Sequence, residues 1–255
     1  IVAFISKATT QQALDQSRLW LVSLLPYTGQ YARLLGVVDT SINQAFARAD
    51  TATAVQTLIL KGVFFGAGLG NSERANETFD RALTFKDRTD VPNLRAALAL
   101  LAAFSNRQAL AFEILQETQN PLGSAIALSI TGQCDQATPI VEAIKKTQAM
   151  PAWAKLWVFY HFAACRFEEG DLTSAEQYAE AALALYSPLD FIVRGIYYPK
   201  ILLLLGKINE AKGDTQNAVR YYHRLLDLWK NADDDIPDLL EARQRLAQLQ
   251  EEAGK

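Results

Sequence analysis

Gly213-Asp214-Thr215-Gln216-Asn217-Ala218 is a tight turn that runs straight into a helix. Gly takes the left-handed conformation that closes one helix, and Asp caps the next. The small Ala, five residues after the Gly, lets the second helix lie close on the first. The same frame recurs at Gly70-Asn71…Ala75, Gly132-Gln133…Ala137 and Gly170-Asp171…Ala175. A hairpin of this kind buries its apolar face only against the next hairpin, so recurring turns predict a stacked array. The turn glycines lie 62, 38 and 43 residues apart. The first gap accommodates one more hairpin, with its turn at Ser105-Asn106 and Ala109 as the small packing residue. Uneven spacing predicts an irregular superhelix.

Apolar residues recur at spacings of three and four over most of the chain, the helical period. The predicted helices are 9–25, 30–48, 51–68, 72–85, 92–104, 106–118, 121–131, 135–148, 151–169, 173–186, 190–212, 215–230 and 236–252. Pro26, Pro92, Pro121, Pro151, Pro188 and Pro237 fall at starts or between helices, where a missing N–H is harmless. Thr173 to Glu176 reads as a capping box. No Pro-, Gly- or Ser-rich linker divides the chain, so residues 1–255 read as one domain. It has a stub at 1–8, degenerate repeats over 9–150, the clearest repeats over 151–231 and a capping helix at 236–252. The cap should turn Glu241, Arg243, Gln244, Arg245, Gln248 and Glu251 outward, giving a defined end and a monomer.

Leu205-Gly206…Gly213-Asp214…Ala218…Tyr222 resembles the tetratricopeptide repeat, or TPR. Phe162-Ala163…Gly170-Asp171…Ala175…Ala179 keeps the frame with Ala in place of the Gly and the aromatic, and Gly70…Ala75…Phe79…Ala82 fits the second helix. The pairs near Gly132 and Ser105 are degenerate, and the first 50 residues match loosely through Gly29-Gln30-Tyr31. The resemblance implies an all-α fold: an α-solenoid of about six antiparallel helix pairs, a TPR-like superhelix with a C-terminal capping helix. The tail from Tyr221 to Pro237, with the Ala/Arg/Leu helix after it, resembles the C-terminal end of bacterial multi-domain proteins. In these a TPR region follows a serine/threonine kinase or winged-helix domain. No kinase motif or recognition helix stands in this chain, so the resemblance implies only a sensor or docking module for signal transduction.

Composition narrows the function further. Half the residues are apolar and 21% are charged, as in an ordinary folded domain. A net charge of −3 gives no basic field for nucleic acid or an anionic membrane. The longest apolar runs, Ala96 to Phe104 and Ile201 to Leu205, are too short to span a bilayer. The absence of a visible signal peptide leads to a cytoplasmic expectation. The chain opens at Ile1 and its single Met is Met150, which suggests a piece of something longer. Cys134 and Cys165 read as two reduced thiols in or near a helix core, a disulfide between them being the alternative.

No catalytic set stands out, so the expectation is a protein that is not an enzyme and has no cofactor or metal. His161 and Cys165 are one helical turn apart and could touch one ion, but no acid stands a turn further on. Gly66-Ala67-Gly68-Leu69-Gly70 follows a helix rather than the strand a phosphate loop needs. Asp233-Asp234-Asp235 with Asp238 lacks the Gly and distal Glu of a calcium loop and reads as favourable charge at a helix start.

The TPR resemblance puts the first helix of each pair on a concave face. It implies Trp157, Tyr160, Ala164 and Phe167 in a groove, with Lys200, Leu203 and Lys207 from the next repeat and Thr57, Leu60 and Phe64 upstream. His161 reads as a core or groove residue. Aromatics beside lysines suit a protein or peptide with a carboxylate; the other reading makes Trp157, Tyr160 and Phe167 simple core. Two functions follow: a scaffold or adaptor for a protein or peptide, or a sensor of a small molecule such as a metabolite. An enclosed aromatic pocket favours the second; an open groove with free Trp157, Lys200 and Lys207 favours the first.

Overall fold

The structure, a computed structural model, describes residues 21–85, 94–118, 120–185 and 191–253. The stub expected at 1–8 and most of the helix expected at 9–25 lie outside them. All regular structure among the described residues is helical. Helix α1 covers 21–27 and α2 Tyr31–Ala47; α3, Thr51–Val63, runs on into a π-helical turn, Phe64–Gly68. Then come α4 (Ser72–Leu83), α5 (Leu94–Phe104), α6 (Gln108–Thr118), α7 (Pro121–Ile130) and α8 (Cys134–Lys146). The rest are α9 (Ala152–Glu168), α10 (Leu172–Ala184), α11 (Phe191–Ala211), α12 (Thr215–Leu228) and α13 (Pro237–Ala253).

The turn frame is more regular than the glycines alone announce. Backbone φ is left-handed at Gly29, Gly70, Gly132, Gly170 and Gly213, and also at Ala49 and Asn106. Five residues after each stand Leu34, Ala75, Ala137, Ala175, Ala218, Ala54 and Ala111, all 0% exposed. Ala109, expected to be the packing residue of the Asn106 turn, is exposed instead. The offset counts from the left-handed residue, and that residue is Asn106, so it selects Ala111. The residue after the left-handed one donates its N–H back to the carbonyl five positions earlier, as Asp214 does to Asn209 at 2.8 Å. At the π turn the same bond, Asn71 to Phe65, spans six residues, because one extra residue is wound in. Asp50, Asn71, Asp171 and Asp214 then cap the following helix, accepting from Thr53, Arg74, Ser174 and Asn217 N–H.

Successive helices pack on one another. The odd-numbered helices from α3 to α13 also pack in sequence as an inner layer, each between even-numbered neighbours. Helix α13 buries Leu239, Ala242, Leu246 and Leu249 against this layer. Arg243, Gln244, Gln248 and Glu251 face outward as expected. Glu241 and Arg245 do not: Glu241 pairs with Lys207 at 3.2 Å and Arg245 with Glu210 at 3.1 Å, both on α11. A helix amphipathic by sequence hides such pairs, because a charge facing an opposite charge looks solvent-facing on a helical projection.

The α1–α2 turn meets the segment between α12 and α13 in a seam. Trp229, 1% exposed, donates its indole N–H to the Tyr27 carbonyl at 3.1 Å. Asp233 N–H donates to the Gly29 carbonyl at 3.0 Å. The Asp233 carboxylate accepts from Ala32 N–H at 2.7 Å, across 201 residues of sequence. It thereby caps α2, whose own N-cap, Gln30, offers no side-chain bond. On the other side Gly195 lies so close to α1 that a Cβ there would stand 2.5 Å from the Ser23 carbonyl oxygen.

Candidate functional site

The inner layer leaves a cavity of about 620 Å³. Its long wall is α9, which presents two one-turn ladders: Tyr160, Ala164 and Glu168, and beside them His161, Cys165 and Glu169. Eight residues of helix make this wall about 12 Å long. Phe104 and Ala103 of α5, the π turn at Gly66 and Ala67, and Ser129 near the end of α7 face it. Lys200 of α11 reaches the end where Tyr160 and His161 stand, and Glu168 and Glu169 mark the opposite end.

Aromatic rings build the Lys200 end. Phe104 stacks nearly parallel on Trp157, 6.3 Å between centroids, and stands 5.6 Å from the His161 ring. Tyr197 packs against Tyr160 at 5.0 Å and edge-on to His161 at 5.2 Å. His161 Nε2 shares a 3.0 Å hydrogen bond with the Tyr197 hydroxyl. Burial, helped by the charge of Lys200, pushes the His161 pKa down to about 3, so the imidazole is neutral at ordinary pH. Burial likewise raises Tyr160 to about 12.

Lys200 donates to Asp238 Oδ2 at 2.6 Å, and its side chain is only 11% exposed. Burial works against its charge, but Asp238 outweighs that and holds its pKa above the usual lysine value. Two polar groups nearby are unfinished. The Tyr31 hydroxyl is buried without a hydrogen-bond partner. The Trp157 indole N–H is also buried, close enough to Tyr197 to affect its ionisation but outside hydrogen-bonding geometry. Buried polar groups left without partners are uncommon in folded proteins.

Of the residues singled out in the sequence, Tyr160, His161 and Lys200 come together on the cavity, with Trp157 directly behind Phe104. Phe167 and Lys207 form a separate pair, the ammonium 5.5 Å from the ring centroid, and Lys207 is also held by Glu241. Phe64 is 0% exposed and faces core, so it presents nothing to a partner. The sequence reading missed Phe104 and Glu168. Phe104 ends the apolar run used only to judge membrane spanning, and no spacing links it to α9.

Cys134 and Cys165 are joined in a disulfide, with Cα atoms 5.9 Å apart, which corrects the reading as two free thiols. Cys134 is the first residue of α8, so the Gly132 turn delivers it against α9. The bond takes Cys165 away from any ion at His161. Disulfides are rare in the cytosol, which weighs against the cytoplasmic expectation. Among the described residues no helix is long and apolar enough to cross a membrane, and no group of three or more His, Cys, Asp or Glu could hold a metal ion.

Neither a protein-family model nor a curated protein matches the chain.

Proposed function

We propose that the chain is a TPR-like α-solenoid of about six helix pairs that works by binding rather than by catalysis. Its ligand is a small molecule held in the cavity beside α9, and its role is that of the sensor part of a larger bacterial regulator. The observation that carries this reading is an open cleft of about 620 Å³ in which the rings of Phe104, Tyr160 and His161 gather near Lys200, the rest of the lining being mostly small and polar residues. That size lies within the roughly 300–1,000 Å³ of small-ligand sites.

The adaptor reading is the second. It is favoured by Trp157, Tyr160, Phe167, Lys200 and Lys207 all projecting from neighbouring inner helices. An extended peptide would have to compete for both lysines with α13, which already holds them through Asp238 and Glu241. A small ligand at the Lys200 end meets Asp238 alone and leaves the Lys207–Glu241 pair intact.

Ala164 lines the cavity at mid-wall, and Ala164→Phe obstructs it. A metabolite collection screened by thermal shift should give ligands that stabilise the wild type and not a folded Ala164→Phe variant. Ligands indifferent to Ala164→Phe, or a lysate protein captured equally by both forms, would overturn the cavity reading.

A further inference from the structure

Resting on that reading, we infer that the ligand is an organic anion with an aromatic ring, its carboxylate bound by Lys200 in place of Asp238. Lys200 is the one cation among the residues lining the cavity, and His161 beside it is neutral. An ammonium has three donors, and Asp238 takes one of them. The Tyr160 hydroxyl, from a residue that also lines the cavity, lies in the field of the Lys200 charge. Lys200 and this hydroxyl are donors a carboxylate can use.

The opposite end carries Glu168, which is exposed, and Glu169, which Arg166 holds at 2.7 Å. An anion is therefore repelled at one end and received at the other, and this fixes its orientation. At the Lys200 end the Phe104 and Tyr160 rings, both lining the cavity, offer apolar surface to a ring.

Asp238 acts as a built-in competitor. A buried Lys–Asp pair is costly to desolvate and contributes little net stability. Here the pair also borders open volume, so an incoming carboxylate exchanges one anion for another and leaves Lys200 paired throughout. Asp238 sits in the first turn of α13, five residues beyond Asp233, which caps α2. Ligand exchange at Lys200 therefore acts on the segment that forms the seam.

The test is calorimetric titration of the full chain with 4-hydroxyphenylacetate and indole-3-acetate, against the same-size amines tyramine and tryptamine. The acids should bind and the amines should be at least about tenfold weaker. Asp238→Asn removes the competitor and should tighten the acids about tenfold. Lys200→Met alone strands Asp238, so the balanced variant is Lys200→Met/Asp238→Asn, checked for folding. It should lose acid binding by about tenfold to a hundredfold relative to Asp238→Asn. Amines binding as well as acids, or Asp238→Asn leaving acid affinity unchanged or weaker, would overturn the inference. If rings of either charge bind and Ala164→Phe blocks them, the cavity reading stands and the anion inference falls. If no probe binds the wild type or Asp238→Asn, this inference falls and the metabolite screen decides the cavity reading separately.

Discussion

The turns and the inner wall of this molecule follow opposite rules. At the turns one frame repeats from Gly29 to Gly213: a left-handed residue, a cap or its equivalent, and a fully buried side chain five positions on. On the inner wall nothing repeats. The rings of Phe104, Tyr160, His161 and Tyr197 and the charge of Lys200 occur once each and come from three helices. Repetition marks what every hairpin needs in order to stack. Side chains that depart from it, and that border open volume, are free of that requirement.

The largest effect should come from the place where the repeat closes on itself. Trp229→Ala removes a fully buried indole and its bond to Tyr27, and should cost about 3–5 kcal/mol in urea unfolding. A loss below about 1 kcal/mol would mean the seam is an ordinary hairpin contact.

The disulfide comes next, because it fastens a repeating turn to the non-repeating wall. Reduction, or Cys134→Ser/Cys165→Ser, should lower stability by about 3 kcal/mol. Two titratable thiols in the unreduced, denatured protein would show the bond absent.

His161 tests the wall alone. Its folded pKa lies near 3, below the unfolded value of 6.5. The unfolded chain therefore binds the extra proton in this window. The contribution of His161 is complete above pH 6.5 and is lost as pH falls towards 3, by about 1.4 kcal/mol per pH unit at most. His161→Asn should flatten this part of the acid limb. An unchanged slope would place the imidazole in water.

The smallest effects belong to the turns, and their signs should be opposite. Gly213→Ala puts a Cβ on a residue at φ 77° and should cost about 1 kcal/mol. Ala49→Gly relieves the same strain at φ 57° and should stabilise by up to about 1 kcal/mol. Equal signs would show that the two turns are not of one kind.

The helices were legible because their stops are written in residues with a physical reason to stop. Each expected helix with described residues is present, its ends within two positions of the expectation. The Asn106 turn was read in place but with Ala109 rather than Ala111 as its packing residue, and the Ala49 turn was read only as a break between helices, since neither residue announces a left-handed backbone as Gly does. The site was half legible. Tyr160, His161 and Ala164 share a helix, so spacing groups them on one face, and Lys200 follows from the next hairpin. Phe104 joins them from 57 residues before His161, and Asp238 occupies Lys200 from a helix read as an outer cap. Long-range pairings of this sort, like the disulfide, leave no periodic trace.

An open stack of hairpins can fray from either end, because each unit holds only its neighbours. Here the carboxylate of Asp233 caps α2 from 201 residues away, so α2 and the segment after α12 hold each other in place. Losing α2 from this contact uncovers the segment after α12. The chain should melt in one concerted transition rather than repeat by repeat. It should also fold slowly for a helical protein, since that contact is made only after a very long loop has closed.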